Sequence, residues 1–284
     1  IITACGLLMI IITLAIGAFL CYKGVGTFTT YGHNVGEFLF SSQWAPADNA
    51  QGGGKVGAAI FIFGSIITCA LALLISTPFS IASAIFMTEI SPGIGRKILQ
   101  PAVEIFVGIP SVVYGWIGLT ILVPFIKDLF DLKFGFSVLS AGIVLAVMIY
   151  PTITSLSADA IRSIPKSFRQ ASYGLGATRW QTISQVVIPA SKSGLMTAIV
   201  LGLARAFGEA LAVAMVIGKM KAFPESLLSP TTNLTAAIAS DMGGAMEGSE
   251  YNIALWSMAL LLFIISLVFI FIIHYISAKG GHKA

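Results

Sequence analysis

Long apolar runs recur along this chain, and each is about as long as the hydrocarbon core of a membrane is thick. A spanning helix needs about 20 mostly apolar residues. Because the runs are continuous and do not alternate over about ten residues, they favour a helical bundle over a β-barrel. We therefore predict an all-α integral membrane protein with six transmembrane helices, at about residues 1–20, 56–79, 101–126, 136–156, 194–218 and 253–276.

The composition agrees with this prediction. Charged residues make up 10% of the chain and apolar residues 57%, and the mean hydropathy is +0.94. A soluble domain carries about 25% charged residues because its surface faces water. These values argue against a soluble enzyme, a secreted disulfide scaffold and a nucleic-acid partner, since the basic residues form no stripe.

The first apolar run opens at Ile1, without an initiator methionine or a basic flank. Its length of about 20 residues exceeds that of a signal-peptide core, and no small-residue cleavage site follows it cleanly. We interpret the run as a retained first span of a single transmembrane domain over residues 1–284. We also expect a short native extension before it.

The distribution of lysine and arginine predicts the orientation, because cytoplasmic loops of membrane proteins carry an excess of both. One set of loops and the C-terminal tail holds Arg96, Lys97, Arg162, Lys166, Arg169, Arg179, Lys192, Lys279 and Lys283. The opposite set holds fewer, Lys23, Lys55, Lys127, Lys133, Lys219 and Lys221, together with most of the acidic residues. We therefore place both termini and the loop 157–193 in the cytoplasm, and the chain in the inner membrane.

Two long segments, 21–55 and 219–252, are expected on the external side. Each is either a connector or a docking surface for an external partner, because loops of this length are often functional. A short helix is expected over 231–242.

The cytoplasmic loop 157–193 has the pattern of two short helices. Residues 170–173 form a good helical turn, and Gly176 permits the left-handed backbone that ends it. A second helix is predicted over 177–187, ending before Pro189. Two short helices at a sharp angle would form a knob whose apolar tip suits a groove on a soluble partner.

This loop resembles the signature of ATP-binding-cassette (ABC) importer permeases, which reads Glu-Ala-Ala, three residues, Gly, nine residues and Ile-x-Leu-Pro. The corresponding residues here are Gln170, Ala171, Ser172, Gly176 and Pro189, with the spacing intact. The resemblance implies a type I ABC importer permease fold, in which the 169–189 loop docks on a cytoplasmic ATPase. With Gln in place of Glu at position 170, Arg169 and Arg179 are expected to remain available for charged contacts.

We expect no ATP site, catalytic residue, metal site or cofactor in this chain itself. The segment that comes nearest to a phosphate-binding loop motif is Gly54-Lys55-Val56. It lacks the hydroxyl residue and the earlier glycine of that motif. The chain would therefore be a transport subunit and not an enzyme, and ATP and Mg would be used by the partner ATPases.

The fifth predicted span contains two charged residues, Arg205 and Glu209. A charge at mid-membrane costs about 2.5–3.5 kcal/mol on insertion scales, and residues at i and i+4 share one helix face. We expect the two side chains to pair, as a structural ion pair or as the lining of a substrate path. In a path, the guanidinium of Arg205 would meet an oxyanion, and Glu209 would keep that contact from becoming too tight.

Three other residues inside predicted spans have structural and functional interpretations. Glu104, near the start of the third span, is expected to complement the helix N-terminus. Pro110 and Pro151 should kink their spans, either for gating or as ordinary packing.

A longer resemblance extends from about residue 56 to residue 276. Segments 104–115, 148–153, 169–189 and 205–209 occur in one order and look similar to the permease subunits of the high-affinity phosphate importer, closer to the PstC type than to the PstA type. The resemblance implies phosphate as substrate, a second PstA-like permease, two cytoplasmic ABC ATPases and an external phosphate-binding protein. The alternatives are a permease for sulfate or molybdate and an ion-coupled secondary transporter, although we find no internal repeat.

Overall fold

The computed structural model describes residues 2–281, so Ile1 and Lys283 of the predictions above lie outside the described residues. The elements in chain order are α1 (Ile2–Gly24), α2 (Gly26–Thr29), α3 (Val35–Phe40), β1 (Trp44–Ala45), β2 (Lys55–Val56), α4 (Ala59–Ile85), α5 (Pro92–Ile94), α6 (Gln100–Gly108), α7 (Ser111–Ile117), α8 (Val123–Leu129), α9 (Val138–Arg162), α10 (Lys166–Gly174), α11 (Arg179–Thr182), α12 (Ile188–Ala190), α13 (Lys192–Gly208), α14 (Leu211–Val216), α15 (Leu234–Asp241) and α16 (Glu250–Gly281). The two short strands pair antiparallel.

Within residues 2–281, five helical stretches are long and apolar enough to cross a membrane. They are Cys5–Thr29, Ala59–Ile90, Ser111–Leu129, Val138–Arg162 and Glu250–Ile276. A sixth is obtained when Arg179–Ala190 and Lys192–Phe207, which meet at 67°, count as one bent span. The all-α membrane architecture is therefore as predicted, but two of the predicted spans are not continuous helices.

The third predicted span, 101–126, is divided at Pro110. Ile109 and Pro110 adopt extended backbone with ψ of 128° and 139°, so α6 ends before them and α7 begins after them. Pro110 thus separates two helices instead of kinking one, whereas Pro151 lies inside α9 as predicted. Glu104 is exposed in α6, where its Oε1 accepts a hydrogen bond from Gln100 at 3.0 Å. It therefore does not cap the spanning helix.

The fifth predicted span, 194–218, is divided as well. Helix α13 ends at Gly208 because Glu209 has extended backbone, with φ −77° and ψ 118°, and α14 begins at Leu211. The other expected short helix, over 231–242, is present as α15.

Prolines explain four local widenings of the helices. The π-helical turns Phe86–Ile90, Gly95–Leu99, Gly118–Leu122 and Ile183–Val187 each end two residues before a proline. Proline lacks an N–H and its ring collides with the preceding helical turn, and a π turn relieves this by widening the ladder. The prediction that the second loop helix ends before Pro189 is wrong for this reason, since the helix continues through it to Ala190.

Helices α4 and α9 form the centre of the bundle, and α13 packs against both. Their contact depends on small residues: a Cβ on Gly202 of α13 would lie 2.5 Å from Ile153 of α9. Such glycines allow membrane helices to approach closely. Helices α1 and α16 pack on each other at the periphery.

Residues 25–58 and 243–252 fold together at the end of the bundle where α4 begins, and we call them the loop cap. The Glu250 carboxylate is 1% exposed and lies 2.6 Å from His33 Nε2. It accepts hydrogen bonds from three backbone N–H groups, those of Ala47, Gly53 and Gly54. The glycine-rich segment therefore cradles a carboxylate of its own chain.

Tyr31 lies against the same carboxylate. Its hydroxyl donates a hydrogen bond to the Gly248 carbonyl at 2.7 Å. Burial and the negative charge of Glu250 raise the pKa of Tyr31 above its usual value, so the hydroxyl keeps its proton and its role as donor at neutral pH.

We predict that Glu250→Gln loosens the loop cap, whereas Glu247→Gln, the same change three residues earlier on an exposed side chain, leaves it intact. An amide offers one acceptor oxygen in place of two, so some of the buried N–H donors lose their hydrogen-bond partner. Each such loss costs about 1–3 kcal/mol of stability. Hydrogen exchange of residues 45–54 in detergent-solubilised protein measures the effect. Equal exchange in the two variants would contradict this account of the cradle.

Candidate functional site

The break after α13 places Arg205 in the last turn of that helix. Its Nη1 donates a hydrogen bond to Thr152 Oγ1 at 2.8 Å, and Thr152 follows the helix-internal Pro151 of α9. A cation in the last turn is also favoured by the negative end of the helix dipole. Arg205, which is half-buried, is therefore held by a hydroxyl of the neighbouring helix and by its own helix end.

Glu209 does not pair with Arg205, because no ion pair joins these two side chains in the described part of the chain. Glu209 Oε1 instead accepts the N–H of Ala212 at 3.0 Å, and its carbonyl accepts Thr235 Oγ1 at 2.7 Å. The predicted i,i+4 pair is wrong, because that spacing brings side chains together only while the helix continues. Glu209 secures the start of α14 and the approach of α15.

Helix α7 completes the surroundings of Arg205. A Cβ on Gly115 would lie 2.9 Å from Ala212 Cα, so α7 and α14 touch backbone to backbone. Tyr114 lies within electrostatic range of Arg205 and donates a hydrogen bond to the Phe106 carbonyl at 2.7 Å. The bond to Thr152 uses one of the five N–H donors of the guanidinium. Those that remain can hydrogen-bond an oxyanion.

The second part of the site is the knob, which we define as residues 166–190 (α10 to α12). Gly176 has φ +80° beyond the end of α10, as predicted. Ser172, which replaces an alanine of the permease signature, makes a buried 2.9 Å hydrogen bond with Thr182 of α11. This replacement ties the two knob helices together. The tip is apolar, with Phe168, Leu175 and Trp180 exposed by 50%, 90% and 65%.

Two of the predicted loop residues, Arg169 and Arg179, point back to the bundle. Arg169 Nε and Nη2 donate to the Glu89 carboxylate at 2.5–3.2 Å, and Arg179 Nη2 donates to the carbonyls of Glu89 and Ile90. For Arg169 the expectation of contacts outside the chain is wrong, because its Nε, Nη1 and Nη2 atoms all donate within the chain. Arg179 is exposed and donates in this way only from Nη2, so its availability stays a prediction. Both guanidinium groups anchor the knob to the turn that follows α4. Gln170 and Ala171 are exposed, as a docking surface requires.

Sequence reasoning missed Glu89, Thr152 and Thr235. Glu89 carried one usable signal, since it is among the few acids in loops otherwise rich in lysine and arginine. The threonines carried none, because a neutral hydroxyl in an apolar helix has no motif. No group of three or more His, Cys, Asp or Glu in residues 2–281 could hold a metal ion.

Residues 76–280 match the family described as binding-protein-dependent transport system inner membrane component. This chain belongs to that family. The chain is 53% identical over 279 residues to a Bacillus subtilis protein named probable ABC transporter permease protein YqgH, covering 98% of this chain and 89% of that protein. It is 35% identical over 276 residues to the phosphate transport system permease protein PstC of Haemophilus influenzae, covering 90% and 82% respectively.

Solved structures share the fold at low sequence identity. A bacterial alginate ABC transporter, solved with an alginate-bound periplasmic protein, has a TM-score of 0.60 at 18% identity and covers 98% of this chain and 94% of that chain. The inward-facing MetNI methionine ABC transporter has a TM-score of 0.56 at 19% identity, covering 76% and 96%. The predicted type I ABC importer permease fold is confirmed. The chain is a multi-pass transport subunit of the inner membrane without an ATPase site of its own.

We predict that Glu89→Gln frees the knob from the bundle. The amide keeps the shape but removes the charge that Arg169 needs, and the two side chains are only 9% and 18% exposed, so their pairing is weakly screened. Amide exchange of residues 166–182 should become about 10-fold faster, or more.

Asp159→Asn is the matched control, because Asp159 is 66% exposed and pairs with Arg162 at the same end of the bundle at 3.5 Å. Exposed pairs contribute little. The same exchange rate in Glu89→Gln and Asp159→Asn would show that Glu89 does not anchor the knob.

Proposed function

We propose that this chain is the membrane-spanning subunit of an ATP-driven ABC importer that moves inorganic phosphate into the cytoplasm. The observation that carries the proposal is the guanidinium of Arg205, held by Thr152 at the break after α13 with unused donors. The similarity to phosphate permeases named PstC supports the choice of anion. A permanent positive charge lowers the electrostatic barrier that a phosphate ion meets in a low-dielectric path.

In this proposal the substrate path includes Arg205 and Glu209, which have different tasks. Arg205 contacts the anion through its planar fork. Glu209 keeps the break in place through Ala212 and Thr235, and its negative charge close to the path limits how tightly the anion is held. Broken helices of this kind occur where membrane proteins bind ions. Pro110 and Pro151 flank the same region as candidate gating positions.

Coupling to ATP hydrolysis would pass through the knob. We propose that the knob faces the cytoplasm with both chain termini, because lysine and arginine are concentrated in the loops on that side. A displaced knob would pull on α4 through Glu89 and on α13 through Lys192. Arg205 lies 13 residues beyond Lys192 on the same helix, or about 20 Å at 1.5 Å per residue.

The implied partners are a second, PstA-like permease, two ABC ATPases that use ATP and Mg, and an external phosphate-binding protein. The exposed apolar tip of the knob supports an ATPase groove as its target. The ordered loop cap at the other end of the bundle supports a surface for the binding protein, since its Glu250 cradle holds a fixed shape.

Another tetrahedral oxyanion, sulfate or molybdate, remains the second candidate substrate. The observation in its favour is that a guanidinium fork donates hydrogen bonds to any of these anions. The binding protein then decides which anion reaches Arg205.

The complex that contains this chain, reconstituted in liposomes with its binding protein, tests the proposal. Arg205→Gln should reduce ³²P-phosphate uptake at least about 100-fold while the complex still assembles, because the path loses its permanent positive charge at the break. The ATPase rate should rise with phosphate-loaded binding protein and not with sulfate-loaded protein. Stimulation by sulfate would overturn the substrate, and full uptake in Arg205→Gln would overturn the role of Arg205.

Thr152→Val should lower uptake about 10-fold, because a hydrogen bond to a charged group contributes about 1.5–3 kcal/mol and Arg205 would lose its orientation. Thr154→Val is the matched control in the same helix, since the hydroxyl of Thr154 donates only to the Tyr150 carbonyl of its own helix. Equal uptake by the two variants would contradict a positioning role for Thr152.

A further inference from the structure

A cavity of about 500 Å³ lies between the knob and the bundle, outside the substrate path. The end of α9, the start of α10 and the segment between α4 and α6 form its walls. Five of its lining residues are cationic, Arg96, Arg162, Lys166, Arg169 and Arg179, and one is acidic, Glu89.

Most of this positive charge is not neutralised by the chain. Glu89 is occupied by Arg169, and Arg179 donates from Nη2 to carbonyl oxygens, which carry no net charge. Arg96 and Lys166 are exposed, and neither takes part in an ion pair or side-chain hydrogen bond among residues 2–281.

Arg162 is also only weakly compensated. It lies 3.5 Å from Asp159, which is 66% exposed, and it donates to Gln100 at 3.0 Å. A concave site with several uncompensated cations attracts anions from solution. Because guanidinium forks and a lysine ammonium line the same cavity, the chemistry that fits best is a phosphate group, with several oxygens available for charge-assisted hydrogen bonds.

We propose that this cavity binds a phosphate group, which bridges Arg96 of the α4–α6 connection to Lys166 of the knob. The group has two sources, the headgroup of an anionic phospholipid and free inorganic phosphate. Both can reach the cavity, which lies where α4 and α9 end, and basic pockets on the cytoplasmic side of membrane helices bind lipid headgroups. The bound group would act beside the Glu89–Arg169 anchor and hold the knob against the bundle. Binding of this group does not depend on Arg205.

The test uses the whole complex in nanodiscs and removes the two uncompensated charges with Arg96→Gln/Lys166→Gln. The matched control is Lys97→Gln/Lys192→Gln, which removes two exposed charges from the same end without altering the cavity lining. An Arg205→Gln background in all samples removes any contribution from the substrate path.

One arm compares phosphatidylglycerol with phosphatidylcholine nanodiscs, and reads the retained phosphatidylglycerol by native mass spectrometry. The other arm adds inorganic phosphate or chloride to phosphatidylcholine nanodiscs, and reads amide exchange of residues 166–174. We expect binding in at least one arm, and about 30-fold weaker binding in Arg96→Gln/Lys166→Gln than in the control, because each of the two removed cations contributes about fivefold.

Retention of phosphatidylglycerol alone assigns the site to a lipid headgroup, and protection by inorganic phosphate alone assigns it to the free anion. The proposal is overturned by no binding in either arm, or by equal loss in both double variants. The proposal is also overturned when the Arg96→Gln/Lys166→Gln complex loses its ATPase subunits but shows unchanged binding in both arms. In that case the two cations contact the ATPases instead of a phosphate group. If the double variant does not assemble, the single variants Arg96→Gln and Lys166→Gln are compared with Lys97→Gln by the same criteria.

Discussion

A charged side chain withdrawn from water has to be compensated by its own protein, and this constraint organises both ends of the bundle. At one end the Glu250 carboxylate pairs with His33 and accepts backbone hydrogen bonds from a glycine-rich segment, and these contacts order the loop cap. At the other end the Glu89 carboxylate binds Arg169, the Glu89 backbone carbonyl accepts a hydrogen bond from Arg179, and both contacts fix the knob. Each loop region is therefore ordered by a carboxylate on or next to a spanning helix, so movement of the loop is linked to movement of that helix.

The same constraint accounts for the break between α13 and α14. A continuous helix would place Arg205 and Glu209 on one face and let them neutralise each other. Because the helix is interrupted, Glu209 instead accepts a backbone N–H of α14. Arg205 donates a hydrogen bond to Thr152 and keeps further N–H donors for other contacts. The interruption thus leaves a usable positive charge in the membrane. An intact ion pair would have hidden it.

Fold and cargo are separable among transporters that share this fold. An alginate transporter and a methionine transporter share the backbone arrangement with this chain at less than 20% identity, so the arrangement of helices alone does not select a substrate. Under the proposed function, selection resides in side chains along the path and in the external binding protein. Under the proposed function, Arg205, oriented by Thr152, is the residue on the path that contacts the anion.

The sequence by itself determined the membrane class, the approximate spans, the knob and the family, because hydropathy and motif spacing are local properties of the chain. It also marked Arg205 as exceptional, since a charge in an apolar run is visible without a structure. Only the tertiary structure decided what the charges do. Glu89 and Arg169 are 80 residues apart, and Arg205 and Thr152 are 53 apart. Such partners are set by helix packing, and the break at Glu209 is held in part by Thr235 of α15.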